Sequence, residues 1–83
     1  MYQIYVLYNS NADRIYIGQT NDLEARLKSH NEKLGNHFTA KFQGDWKLIY
    51  TESALTRAEA LRREKQLKTS RGRAFLKQYI PIS

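Results

Sequence analysis

Apolar residues crowd positions 2–8 and 14–18, and the polar cluster "NSNAD" separates the two runs. Tyr, Ile and Val around a block of turn formers predict a β-hairpin. The period then changes. In "TNDLEARLKSHNEKLG", Leu23, Leu27 and Leu34 recur at helical spacing, Thr20 or Asn21 stands where an N-cap belongs, and Gly35 stops the run. "NHFTAKFQGD" reads as loop or a short helical turn. "WKLIYTE" returns to strand, with Trp46, Leu48 and Tyr50 expected on one face. Thr56 and Glu59 form a capping box opening a second long helix, "RAEALRREKQLK". "SRGRAFLKQYIP" starts one more short helix, anchored by Phe75, Leu76 and Tyr79, and Pro81 prevents its continuation. The order strand, strand, helix, strand, helix, helix predicts an α+β fold, a small sheet covered by helices.

A chain of 83 residues is expected to form one domain, 1–83. Domains of this size bury only roughly 60% of their unfolded surface, so an active site is expected to be a shallow cleft. There is no cysteine, which removes disulfides and thiolate metal sites. The N-terminus enters strand-like sequence without a signal pattern, and no apolar run approaches the roughly 20 residues of a membrane span. A soluble, cytoplasmic protein without membrane partners is expected.

Charge sharpens the picture. The net charge is +6, and residues 1–40 balance four bases against four acids, so the whole excess falls in residues 41–83. Between Arg57 and Lys77 there are eight basic residues opposed only by Glu59 and Glu64. Such a concentration suits a phosphate-rich partner, because binding releases condensed counterions. Arg62, Arg63, Lys65, Lys68, Arg71 and Arg73 are the candidate nucleic-acid contacts; the plain alternative is a solvated helix face.

Two polar anomalies interrupt the apolar arcs. On the first helix His30 falls within or beside the leucine stripe, and Arg26 lies one turn before it. A snorkelling arginine and a hydrogen-bonded core histidine would explain them without function. On the second helix Ala60, Leu61 and Leu67 define the inner face, and Glu64 lies inside that arc, with Arg62 and Arg63 outside it. A carboxylate there is costly unless it meets a cation or metal. Lys68 at i+4 is the alternative partner. With Tyr5 and Tyr16 of the hairpin, this inventory suits phosphodiester hydrolysis. Glu64 would hold one divalent cation, and Arg26 would stabilise transition-state charge. A tyrosine would deprotonate water if nearby cations lowered its ordinary pKa of about 10. The lack of further clustered acids argues against a two-metal site.

The same residues carry a resemblance. "QIYVLYNSNADRIYIG" followed by "QTNDLEARLKSHN" closely resembles the GIY-YIG nuclease superfamily, with Gln3-Ile4-Tyr5 and Tyr16-Ile17-Gly18 as the two tripeptides. "DLEARLKSHN" is similar to the helix bearing the family's arginine, which falls on Arg26, with His30 one turn later. "TRAEALRREKQLK" is similar to the helix of the metal-binding glutamate, which falls on Glu64. The resemblance runs from Tyr2 to about Ile80 and is closest to small bacterial, excinuclease-subunit-C-like members. Gln3 departs from the pattern, standing where the first tripeptide usually has glycine.

The resemblance implies a three-stranded antiparallel sheet flanked by helices. It implies hydrolysis of a DNA phosphodiester, in repair or processing, with one Mg²⁺ (or Mn²⁺) on Glu64. Arg26 would contact the scissile phosphate, His30 would orient water or phosphate, and Tyr5 and Tyr16 would line the site, either one serving the general base. No small-molecule cofactor is implied, and RNA remains an open partner. Two other readings stand beside it. One is a nucleic-acid-binding module that kept the fold without cleavage; the other is a protein-interaction domain. The discriminating geometry is whether Tyr5, Tyr16, Arg26, His30 and Glu64 converge, or whether Glu64 pairs with Lys68 instead.

Overall fold

The computed structural model describes residues 1–31 and 43–81. Strands β1 (Tyr2–Asn9) and β2 (Arg14–Thr20) form the hairpin. They are followed by α1 (Leu23–Asn31), β3 (Lys47–Ala54), α2 (Arg57–Leu67), α3 (Ser70–Leu76) and a 3₁₀ turn, Lys77–Tyr79. The sheet is antiparallel in the order β2-β1-β3, so the expected α+β architecture is found. Leu34, Gly35 and most of "NHFTAKFQGD" lie outside the described residues.

β1 is the central strand, and its continuous apolar stretch Ile4–Leu7 is buried on both sides. Ile4 and Val6 face one layer with Ile17 and with Ala60, Leu67 and Leu76 of α2 and α3. Tyr5 and Leu7 face the other, with Trp46 and with Leu23 and Leu27 of α1. The sheet is therefore sandwiched between α1 and the α2–α3 pair.

Local chemistry closes each element. Asn9 is buried, its Oδ1 accepting from Ala12 N and its Nδ2 donating to the Gln43 carbonyl. Asp13 completes the turn with φ 53°, the left-handed region that aspartate tolerates, and accepts from the Tyr8 hydroxyl. Asp22 caps α1 by accepting from Ala25 N, which corrects the expected cap at Thr20 or Asn21. Thr20 is the end of β2 and supports the preceding turn through Asp22 N. Thr56 caps α2 as expected, accepting from Glu59 N, while the Glu59 carboxylate reaches back to Leu55 N. Thr69 caps α3 in the same way, through Gly72 N.

Two facing assignments are overturned. A bulge in β3 opposite Val6 and Leu7 pairs Val6 with Tyr50 but Leu7 with Leu48, leaving Ile49 as the extra residue. The inserted residue breaks the two-residue alternation. Trp46 therefore packs with Tyr5 and Leu7 under α1, whereas Tyr50 packs on the opposite layer. On α2, Ala60 and Leu67 are buried but Leu61 is 41% exposed. The inner stripe runs through 60, 64 and 67, one residue around from the expected arc, and passes directly over Glu64.

Candidate active site and polar cleft

Tyr5 and His30 are both fully buried, and Tyr5 Oη lies 2.9 Å from His30 Nε2. β1 supplies the tyrosine and the last full turn of α1 the histidine, so the bond ties the sheet to the helix above it. Tyr16, half-buried on β2, completes a triad of rings. Its centroid is 4.8 Å from that of His30 and 6.1 Å from that of Tyr5. Gly18 explains how the two tyrosines share this space. It pairs with Tyr5 across the hairpin, and a Cβ there would sit 2.8 Å from Tyr5 Cζ and Oη and 3.0 Å from Tyr16 Cε1. The glycine is needed for room beneath the rings.

Burial, with the Tyr16 hydroxyl adding to it, pushes the Tyr5 phenol well above the ordinary tyrosine range, while the Arg26 guanidinium pulls in the opposite direction. Arg26 is thus close enough to act on the Tyr5 hydroxyl. The Tyr5–His30 bond runs in the direction that the histidine tautomer sets. The structure brings Tyr5, Tyr16, Arg26 and His30 together on the α1 side of the sheet.

Arg26 also borders a polar cleft of about 210 Å³, lined by Tyr2, Gln19, Thr20, Asn21, Arg26 and Arg57. Neither described ion pair, Arg63–Glu52 or Lys68–Glu64, involves its two arginines. Gln19 Oε1 is buried and lacks a hydrogen-bond donor among the described residues. An orphaned acceptor of this kind costs about 1–3 kcal/mol. Gln19 and Arg57 lie within the quoted stretches but were not candidate site residues. Only the meeting of the hairpin's end with the first turn of α2 brings them to Arg26.

Glu64 comes from the other helix layer. It lies on α2, the helix covering the opposite face, and its side chain is 19% exposed. Its Oε2 accepts from Lys68 Nζ at 2.8 Å, the intrahelical pair that the sequence offered as the alternative. Among the described residues no group of three His, Cys, Asp or Glu side chains is placed to hold a metal. What Glu64 offers is one half-buried carboxylate. That suits Mg²⁺, which keeps several waters and takes one or two carboxylates plus phosphate oxygens, and it does not suit an all-protein cage. Lys68 competes with such an ion for the same oxygen.

The remaining basic candidates divide. Arg62, Lys65, Arg71 and Arg73 are exposed, and Arg73 Nε also donates to the Lys68 carbonyl at the α2–α3 junction. Arg63 is half-buried, contrary to its expected place outside the arc. Its Nε donates to Glu52 at 2.8 Å, and Tyr50 Oη donates to the other carboxylate oxygen. The Glu52 carboxylate raises the Arg63 pKa, while burial and Glu52 together raise that of Tyr50. This buttress between β3 and α2 commits Arg63 inside the protein. Beside it Tyr50, Phe75 and Tyr79 form an aromatic cluster with centroids 4.9 to 5.6 Å apart.

Comparison with known proteins agrees with this architecture. The sequence profile of the GIY-YIG catalytic domain matches residues 1–79. A UPF0213 protein of Staphylococcus epidermidis is 37% identical over 59 residues, 71% of each chain. One of Bacillus velezensis is 40% identical over 58 residues, 70% of this chain and 58% of the relative. The solution NMR structure of a UPF0213 protein from Bacillus halodurans superimposes with a TM-score of 0.55 at 27% identity, covering 94% of this chain and 84% of the other.

Proposed function

This chain belongs to the GIY-YIG family, and on that footing we propose that it is a metal-dependent endonuclease acting on DNA, structure-selective because so small a surface reads few bases. The observation that carries the proposal is the convergence of Tyr5, Tyr16, Arg26 and His30. A buried hydrogen-bonded pair, a second phenol with solvent access and a guanidinium meet at one edge of the sheet.

In the proposed reaction water attacks phosphorus in line and gives up a proton, one P–O ester bond breaks, and that proton passes by way of Tyr16 or solvent to the leaving oxygen. Arg26 binds the phosphate and offsets the charge that builds on its oxygens. Tyr16 is the phenol that meets water or phosphate, since Tyr5 is wholly enclosed. Tyr5 is a positioning residue that keeps its proton and orients His30. Glu64 would hold a Mg²⁺ or Mn²⁺ ion, whose chemistry is to neutralise charge on a phosphate oxygen.

The Glu64–Lys68 pair favours a second reading, a nucleic-acid-binding module of the same fold without cleavage. Incubating branched, flapped, single-stranded and duplex DNA with Mg²⁺ or Mn²⁺ separates the two. The endonuclease cuts at least one substrate, with Arg26→Ala lowering the rate about 10²-fold or more and Glu64→Ala removing the metal dependence. No cleavage by wild type leaves the binding module, and full activity in both variants overturns the assignment of Arg26 and Glu64.

A further inference from the structure

The polar cleft beside the ring cluster has walls that the proposed hydrolysis leaves unused. Arg26 is on α1 and Arg57 opens α2, so two guanidiniums from helices on opposite faces of the sheet line one hollow. Neither described ion pair neutralises them, and among the described residues no carboxylate lines the hollow. Like charges lining one hollow favour an anion, and the arginine fork suits phosphate oxygens bidentately. Gln19 lines the same cleft, and its buried Oε1 is an acceptor in want of a donor. A phosphodiester, which carries no proton at neutral pH, would not by itself satisfy that atom. A nucleotide offers both chemistries: phosphate oxygens for the arginines, and an N–H or O–H of base or sugar for the amide.

We propose that this cleft is a subsite for one nucleotide flanking the scissile phosphate. Arg57 holds that nucleotide's own phosphate and Gln19 accepts from its base or sugar, while Arg26 is shared with the reaction centre. The assignment of the flanking position rests on the endonuclease reading; the binding of the nucleotide does not. Arg57 is then a specificity-determining residue, gripping the strand one step away from the bond that breaks.

The test is the affinity of the full chain for a 20-nucleotide DNA, measured against salt in EDTA, so that binding is read without cleavage. Arg57→Gln is compared with Lys47→Gln, a charge removed at the other end of the sheet. Lys47 pairs with Tyr8 and the cleft lies at Tyr2, about 20 Å along the strand. The expected result is a log–log salt slope shallower by about 0.7–0.9 in Arg57→Gln and unchanged in Lys47→Gln. Parallel slopes for wild type and Arg57→Gln would overturn the subsite. A scan with single neutral methylphosphonate linkages locates the contact. One linkage should weaken wild type several-fold and leave Arg57→Gln unmoved, whereas equal losses in both proteins reject the subsite.

An effect confined to DNA with a terminal phosphate overturns the flanking-nucleotide assignment in favour of a strand end. Cleavage assays on the same preparations separate this proposal from the reaction. A chain that does not cut but shows the Arg57 slope change retains the nucleotide site and loses the endonuclease. A chain that cuts with an unchanged slope loses the subsite alone. Absence of DNA binding by wild type rejects both.

Discussion

Tyr5 and Tyr16 sit one strand apart with the same functional group, yet burial assigns them different work. The Tyr5 hydroxyl is enclosed, bonded to His30 and held above the ordinary tyrosine range, so it stays protonated at neutral pH. In unfolded chain the same phenol ionises near pH 10. A native pKa raised above the unfolded one adds stability that is whole below about pH 10 and is lost as pH rises past it. Urea unfolding of wild type from pH 7 to 11 is therefore expected to lose stability above pH 10, and Tyr5→Phe to show a shallower alkaline decline. Identical declines would mean that Tyr5 is not the group protected. At pH 7, Tyr5→Phe is expected to cost about 1–3 kcal/mol, since it leaves His30 Nε2 buried without its partner. Tyr16→Phe should spare stability and lower the cleavage rate about 10²–10⁴-fold, the usual range for a lost acid–base group. Gly18→Ala would push a methyl into both rings, and crystallography or ring NMR shifts would show Tyr5 and Tyr16 displaced. The tyrosines were legible from the chain through the two tripeptides that carry the family resemblance. The Tyr5–His30 bond was not, because it joins residues 25 apart that only α1 docking brings together.

Among the elements, the helices and their starts follow local rules that sequence displays openly: Thr56 and Glu59 bracket the first turn of α2 wherever that helix forms. The facing of β3 escapes such rules. Its bulge at Ile49 is a property of pairing with β1, and a strict alternation through Trp46, Leu48 and Tyr50 misplaces Tyr50. Arg63 likewise reads as one more surface base until Glu52 of β3 is seen beneath it. The α2–α3 corner supplies a test at this scale. A Cβ on Gly72 would lie 2.4 Å from the Gln66 carbonyl oxygen and 2.5 Å from Leu67 Cα, both backbone atoms that cannot swing aside. Gly72→Ala is expected to destabilise the protein by about 1–3 kcal/mol, measured by denaturant midpoint, through the overpacked corner. Unchanged stability would show that α3 docks less closely than the corner implies.

At the scale of the whole molecule, the basic excess of residues 41–83 is distributed over α2, α3 and the turn that follows. Some of it is committed internally, by Arg63 to Glu52 and Lys68 to Glu64. Arg62, Lys65 and Arg71 remain exposed for a polyanion. The combined replacement of these three by glutamine should weaken DNA binding at low salt and flatten the salt slope by about two to three units. It should leave the thermal midpoint within a few degrees of wild type, since exposed side chains are replaced. A steep slope that survives the triple replacement would place the DNA elsewhere. Among the described residues no helix is long and apolar enough to cross a membrane.

The chain by itself determined the order of elements, the cap of α2, the central apolar strand and the identities of the four converging side chains. Each of these follows from spacing within a few residues or from a family motif carried on adjacent positions. Tertiary structure alone decided that Tyr5 is enclosed and Tyr16 is not, that the β3 bulge divides Trp46 from Tyr50, that Glu64 takes Lys68 as its partner, and that Arg57 and Gln19 join Arg26 in one cleft. Those outcomes depend on which faces meet when the sheet is covered from both sides, a contest among distant residues that no local pattern encodes.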